Sequence, residues 1–470
     1  MSGLLGTLDM GNRALQTQMK GLELTGHNLA NVNNPGFSRQ RMEVDSTYQL
    51  ETGQQSRGTG VAIQSIQQIR DQILDAQIRS EKSTTGFLES KMTGLEYMKA
   101  GLGPILNIMG QDGQQAGGAT GLTALFNDFT GKMHEVANDP SSRNARQSFI
   151  EAAQNLADNI QETSLQAQTL QTRLDDEIKT VASESNNLIQ RIAELNQSIQ
   201  KVERGGLKTA NELRDQRIEV LEELSELMPL DVTTAENGET LVLSGATVLV
   251  EGEDVLNSIL VNTLPEGNLT LSWNNDNAPF QPQEGRIGGL FDLKAGALKE
   301  LQTKNDTLAK GLIEIFNTIH GEGFAKDGST GRALFIGTDA SSLGVDPDIL
   351  QNPTLLQIAS RPDEPGNNDI IQNMIAAMGE NQTQLDDRNF IEMHADMVSE
   401  LGQTIRNTKR ELEDQKSLES LMHKQRESIS GVSIDEEMTQ LVRYQRAFEA
   451  SAKLIGIVDE MLGTVLSMSR

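Results

Sequence analysis

Ile434-Asp435-Glu436-Glu437-Met438-Thr439-Gln440-Leu441 opens a stretch in which Ile434, Leu441, Phe448, Ile455 and Leu462 recur every seventh residue, flanked by Met438, Ala452 and Leu466. The other end of the chain repeats the spacing with Met1, Leu8, Leu15, Leu22 and Leu29, and places Leu5 and Met19 beside the row. A seven-residue apolar repeat lays one sticky stripe along a helix. Such a stripe needs a partner, because isolated helices gain little from propensity alone. Matched stripes predict that the two ends meet each other and then meet neighbouring copies, which is the layout of a polymerising subunit. The expected class is mainly α with a β insert. Terminal helices form an α-helical coiled-coil pair, long helices form a bundle, and a small antiparallel β domain sits in the middle.

Between these ends the helical spacing is interrupted at readable places. The first helix runs from about Ser2 to Val32 and stops at Asn33-Asn34-Pro35-Gly36, where Pro then Gly at a turn centre favours type II geometry. Residues 38–68 read as an extended arm or hairpin, and helix resumes from about Ile69 to Leu102. Gly110 to Gly121 is a glycine-rich break, followed by a short helix from Leu122 to Ala137. From Ile150 to Val202 apolar and small residues alternate by three and four without a slip, with a seam weakened at Ser164, Gln171 and Ser185. Gly205-Gly206 stops this helix, and another runs from Asn211 to Met228. Asn237-Gly238 between short alternating runs is a strong hairpin signal, so 230–285 reads as antiparallel β. Gly288-Gly289 is expected to open a helix to Ile319, residues 321–368 to form loops, and helices to return at 369–379, 386–430 and 433–467. Antiparallel pairing of the 150–202 and 386–430 helices would bury both seams. The expected domains are 1–35 plus 431–470 as the terminal helical pair; 36–228 plus 365–430 as a helical rod; and 229–364 as an outer β-rich domain, with helix 288–320 returning to the rod.

The chain has 470 residues, a net charge of -27 and 3% aromatics, with a single tryptophan. That charge argues against nucleic-acid binding and against an anionic membrane surface. Residues 1–33 are neutral and residues 431–470 carry only -2, so the middle holds -25. Near-neutral ends can crowd together while the middle stays soluble, although an acidic balance also fits any soluble chain. There is no cysteine, hence no disulfide or thiolate site. No cleavable secretory signal and no run of 18 apolar residues is visible.

A search for chemistry finds no catalytic constellation, and neither a cofactor nor a metal is expected. His27, His134, His320, His394 and His423 never fall at the spacing of a helical zinc site, and structural or solvated roles suit them better. Gly323-Phe324-Ala325-Lys326-Asp327-Gly328-Ser329-Thr330 lacks the lysine that a phosphate loop needs after its second glycine. Asp386-Asp387 and Asp435-Glu436-Glu437 read as solvated faces or helix starts rather than acid pairs. Phe37, just past the turn, either plugs its own subunit or anchors into a neighbour.

Leu29-Ala30-Asn31-Val32-Asn33-Asn34-Pro35-Gly36-Phe37-Ser38-Arg39-Gln40 resembles the N-terminal signature of the axial-protein family of the bacterial flagellum, which includes rod, hook and hook-associated proteins. Ser430 to Met438, continuing through Leu441, Tyr444, Gln445, Phe448, Ala450, Ser451, Ala452 and Ile455, resembles the C-terminal signature. Asp215-Gln216-Arg217, Asn237-Gly238, Gly288-Gly289-Leu290-Phe291 and Phe316 to Phe324 are similar to the middle of the hook–filament junction branch. The resemblance implies a non-enzymatic adaptor that joins hook to filament in the extracellular flagellum and is exported through a type III route without a cleaved signal. Its implied partners are further copies of itself, the hook protein, a second junction protein and an export chaperone on the last helix. The residues expected to carry assembly are Leu8, Leu15, Leu22, Leu29, Asn31, Asn34, Pro35, Gly36 and Phe37 at one end. At the other they are Ile434, Leu441, Tyr444, Phe448, Ile455 and Leu462. A hook or distal-rod subunit is the alternative reading, and an axial protein carrying a wall hydrolase is a third. Some family members have a further β domain after Phe335, and the short Gly/Asp/Pro-rich stretch here is expected to lack it.

Overall fold

A computed structural model of the chain describes all residues except 1, 47–49, 53–54, 58–59, 107–120, 205–208, 235–238, 265–267, 365 and 469–470. Helix dominates, with small antiparallel sheets in the middle, as the periodicities require. The chain divides into two compact units: residues 1–85, 182–281 and 415–470 in one, and residues 86–181 and 282–414 in the other. Three long helices, α2 (Gln72–Leu106), α4 (Arg143–Glu203) and α10 (Phe390–Ser430), contribute residues to both.

The first unit holds both chain ends. Helix α1 (Ser2–Ala30) leads into the Asn34-Pro35-Gly36-Phe37 turn, closed by a hydrogen bond from Phe37 N to the Asn34 carbonyl at 3.1 Å. Type II geometry is not adopted, because Gly36 does not take the positive φ it requires. Asn34 Oδ1 instead accepts from Gly36 N at 3.3 Å, an Asx turn that holds the loop by a side chain. The arm is a hairpin of β1 (Gln40–Ser46) and β4 (Val61–Gln68), paired from Gln40↔Gln68 to Ser46↔Val61 with a bulge at Glu43/Val44. Short β2 (Leu50–Thr52) and β3 (Gln55–Arg57) pair beyond it. Thr209 Oγ1 and Asn211 Nδ2 both donate to the Ile66 carbonyl, which ties the arm to the start of α5 (Asn211–Leu227).

A meander follows, of β5 (Asp231–Thr234), β6 (Thr240–Ser244), β7 (Thr247–Glu251) and β8 (Asp254–Val255). Strands β5 and β6 flank Asn237-Gly238, which lies outside the described residues, as do Gly205-Gly206 and most of the 110–121 break. Next come β9 (Ile259–Thr263), β10 (Leu269–Trp273) and β11 (Pro279–Phe280), with β10 central. The α4 helix supports these strands through side-chain amides. Asn186 exchanges two hydrogen bonds with the backbone of Ile259, and Asn196 donates to the Gly252 carbonyl. The last helix, α11 (Ile434–Met468), follows α10 after a break at Gly431.

The second unit is built around phenylalanine. Phe126 and Phe129 of α3 (Leu122–Asn138), Phe149 of α4, Phe316, Phe335 and Phe390 are all fully buried. Their ring centroids lie 5.2–6.2 Å apart. Each such pair adds about 0.5–1.5 kcal/mol beyond area burial. The helix expected to open at Gly288 starts earlier, as α6 (Gly285–Leu293), and passes through a π-helical turn at Lys294–Leu298 into α7 (Lys299–Gly321). Gly288 and Gly289 are packing positions rather than a start. A Cβ on Gly289 would lie 2.2 Å from both the Phe87 carbonyl oxygen and Ser90 Oγ. Only a bare α-carbon lets α6 approach α2 this closely.

In this unit α4 is held by α6 and α7 through Arg286–Glu177, Lys294–Asp175 and the Asn305 Nδ2 bond to the Ile160 carbonyl. Helix α10 meets α7 through Lys304–Glu400 and meets α3 through Phe390 on Phe126. The partners of α4 and α10 are thus shared among several helices. Helix α9 (Asp369–Gly379) completes the unit. From Phe335 to Asn368 the described residues form the two-stranded pair of β12 (Phe335–Ile336) and β13 (Gly344–Val345), α8 (Pro347–Gln351), a 3-10 turn and a bridge from Ala359 to Phe324, so no sheet of more than two strands occupies the described part of that stretch.

Candidate assembly site

The apolar repeats bring α1 and α11 together as an antiparallel pair. The closest approaches occur at glycines. A Cβ on Gly21 would lie 2.7 Å from the Tyr444 ring, and one on Gly11 would lie 2.9 Å from Ile455 Cγ1. Thr17, Leu24, Thr25 and Asn28 are the buried α1 positions beside them. Leu8, Leu15, Leu22 and Leu29 are half-buried and flank this face. On α11, Leu441, Tyr444, Phe448, Ile455 and Leu462 are half-buried, Val458 is buried, and Ile434 is exposed.

At the base of the pair the two sequence signatures meet in a buried polar cluster. Asn28 Nδ2 donates to the Gln40 carbonyl at 3.0 Å and to Glu437 Oε2 at 3.1 Å, while Asn28 Oδ1 accepts from Gln40 N at 3.1 Å. Arg39 donates from Nε to Glu437 Oε1 at 2.8 Å and from Nη1 to Glu436 Oε2 at 2.5 Å. Its backbone N–H donates to the Ser430 carbonyl at 2.9 Å, which fastens the N-terminal segment to the end of α10. Burial pulls the Arg39 guanidinium down, but its bonds to Glu436 and Glu437 outweigh this and leave it above the ordinary arginine value. Glu436 and Glu437 also sit in the first turn of α11, where the helix dipole favours negative charge.

Behind this cluster, Ser38 donates to Asp215 of α5 from both N (3.2 Å) and Oγ (2.6 Å). Burial pushes the Asp215 carboxyl up, against the Ser38 bonds and the nearby Arg70 charge. Asp75 is raised for the same reason, with Arg70 opposing. Glu222 is held low: burial would raise it, but Arg426 and Lys82 more than compensate. Hydrogen bonds to charged groups of this kind contribute about 1.5–3 kcal/mol each.

Asn31, Asn34, Pro35 and Phe37 share a recess of about 300 Å³ with Arg70, Lys424 and Val432. Phe37 is half-buried against His27, with ring centroids 5.4 Å apart in an edge arrangement, so it already docks within its own chain. Ile434 stands apart from this recess and from the glycine contacts. Sequence reasoning passed over Gly11, Gly21 and Asn28, and cited Asp215 only for its family resemblance, not for this cluster. The glycines carried a signal, because each costs about 1 kcal/mol in a helix interior and so needs a packing reason.

Among the described residues, twelve of the 26 large apolar side chains left exposed lie on the terminal pair. They include Leu5, Met19, Ile434, Met438, Val442, Leu454, Ile457, Met461, Val465 and Leu466. Leu454, Ile457, Met461 and Val465 fall at helical spacing and form a second stripe on α11 beside the one that meets α1. Among the described residues no cluster of His, Asp and Glu could hold a metal ion, and no helix is long and apolar enough to cross a membrane.

The terminal pair is thus closed within the chain and keeps an apolar stripe exposed on α11. Comparison with known proteins places this arrangement among flagellar proteins. Residues 112–335 match the helical domain of flagellar hook-associated protein FlgK, and residues 424–468 match the C-terminal region of flagellar basal body rod FlgEFG proteins. Across its whole length the chain is similar to proteins named flagellar hook-associated protein 1. It is 24% identical to the one from Bacillus subtilis over 98% of this chain and 97% of the relative. It is 21% identical to that of Salmonella typhimurium over the full length of both. A solved structure, the flagellar hook junction protein FlgK from Burkholderia pseudomallei, overlaps 56% of this chain and 46% of its own, with 20% identity and a TM-score of 0.48, which is a partial overlap.

Proposed function

We propose that the chain is a structural junction subunit of the bacterial flagellum, joining hook to filament by polymerising through α1 and α11. The observation that carries this is the second apolar stripe on α11, which intramolecular pairing leaves uncovered. Contiguous exposed apolar surface of this kind marks an interaction site. The full-length similarity to hook-associated protein 1 supplies the setting. Copies of the same chain would cover the stripe in the assembled tube. The hook protein and a second junction protein would bound the assembly, and an export chaperone would shield the last helix beforehand. The role is architectural rather than enzymatic, and the place of work is the extracellular flagellum.

The alternative of a hook or rod subunit draws on the match of residues 424–468 to rod proteins. The helical-domain match over 112–335 favours the junction reading. The test is a chain lacking residues 441–470, expressed in cells without the full-length protein. Expected are hooks that bear no filament and a truncated chain that is absent from the hook tip. Normal filaments on those hooks would overturn the proposal.

A further inference from the structure

The reading of α1 and α11 as the assembling pair leaves one problem that the apolar pattern cannot solve, and the inference here rests on that reading. Both stripes repeat every seventh residue, so hydrophobic contact is nearly unchanged when α11 slides along α1 by one repeat. Only one alignment is adopted. In it Glu437 faces Asn28, Tyr444 covers Gly21, and Ile455 covers Gly11.

A slide of seven residues would set Glu437 against Gly21 or beyond the helix at Pro35, and Tyr444 against Ala14 or Asn28. Glu437 is only 3% exposed, and its two carboxylate oxygens are taken by Asn28 Nδ2 and Arg39 Nε. Away from those partners it is a buried charge with nothing to compensate it, which is among the costlier defects a protein can carry. The glycine contacts discriminate less sharply, since a ring can tilt away from a new Cβ. We infer that Asn28, Arg39 and Glu437 form a register key, selecting one alignment of the terminal helices from the several that their repeats permit.

The key can be removed without orphaning its other members. Arg39 retains Glu436, and Asn28 retains both bonds to the Gln40 backbone. The chain contains no cysteine, so introduced thiols report alone. Ala14→Cys with Ser451→Cys reports the observed alignment, and Thr7→Cys with Ser451→Cys reports a slide of one repeat. Each pair is placed in the full-length chain, oxidised at assembling concentration, and scored by mass spectrometry of the disulfide.

With the key intact, only the first pair should close. Glu437→Leu should raise closure of the second pair by about tenfold or more, in line with the register role of buried polar groups. Glu437→Gln, which can still accept from Asn28, should stay near the native pattern. Closure of only the first pair in Glu437→Leu overturns the inference, as does failure of the first pair in the native background. Should Glu437→Leu lose helix content by circular dichroism, the same scoring of Glu437→Met, which also removes the buried charge, decides, with the same two outcomes. Electron microscopy of the same samples separates the two claims. Native alignment without polymers defeats the assembly reading; polymers with no slid alignment in either variant defeat the key.

Discussion

His320 is buried with both ring nitrogens committed, Nδ1 to the Arg332 carbonyl at 2.7 Å and Nε2 to the backbone N–H of Gln357 at 2.9 Å. A carbonyl on one side and an N–H on the other admit only the neutral ring protonated at Nδ1. Burial lowers its pKa to about 4, and burial does the same to His394, also to about 4. Both groups are depressed, so their contribution to stability is complete above the unfolded value of about 6.5 and is lost as the pH falls from there to about 4. The loss reaches about 3 kcal/mol for each histidine. Asp75 and Asp215, in the other unit, are raised by burial, so protonation in mild acid favours their folded state; their contribution is present below the ordinary carboxylate value and is lost as pH rises through the raised one. Hydrogen exchange at pH 7 and at pH 4.5, corrected for intrinsic rates, should therefore show α7 losing protection while β6 and β7 lose much less. His394→Gln should flatten that response. Equal loss in both units would contradict the assignment.

Helices were the most legible elements, because their apolar residues recur over many turns. The 150–202 seam is α4, extended at its start to Arg143, and Leu122–Ala137 is α3 within a residue. The strands around Asn237-Gly238 also fell where the turn signal put them. What stayed hidden was carried by residues with little side chain or by polar ones. An apolar repeat identifies Leu8, Leu15, Leu22 and Leu29 as a stripe, yet the innermost α1 contacts are at Gly11 and Gly21, which have no hydrophobicity to count. Gly288 and Gly289 looked like a helix start for the same reason, since a glycine gives no sign of which backbone will press against it. The Asn28–Glu437 bond joins residues 409 apart, and nothing local announces it. The glycine contact makes a prediction at this scale. Gly21→Ala should destabilise the pair by about 1–3 kcal/mol through overpacking against Tyr444. Tyr444→Ala alone should also cost stability, and the double variant should cost clearly less than the sum. Strict additivity, measured by helix unfolding of the full chain, would show that the two do not touch.

For the molecule as a whole, charge and apolar surface are segregated along the sequence. The termini are nearly neutral and carry the exposed stripes, while residues 34–430 hold a net charge of -25. Copies that meet through their termini must still bring like-charged middles near one another, and salt screens that repulsion over about 10 Å at 0.1 M. Assembly should thus begin at lower protein concentration as ionic strength rises, and light scattering across a salt series checks this. Replacing Leu454, Ile457 and Met461 by serine should raise the onset concentration at every salt level and leave thermal unfolding almost unchanged, because these side chains are exposed. An unaltered onset would remove the second stripe from the interface. The lone indole offers a further opening. Trp273 is 3% exposed on the middle strand β10, with its ring centroid 4.3 Å from that of Phe280. Its emission therefore belongs to the strand layer of one unit, and the phenylalanine-rich unit is dark at the same wavelength. Fluorescence followed beside circular dichroism would tell, in unlabelled protein, whether the strands melt in step with the helices or on their own.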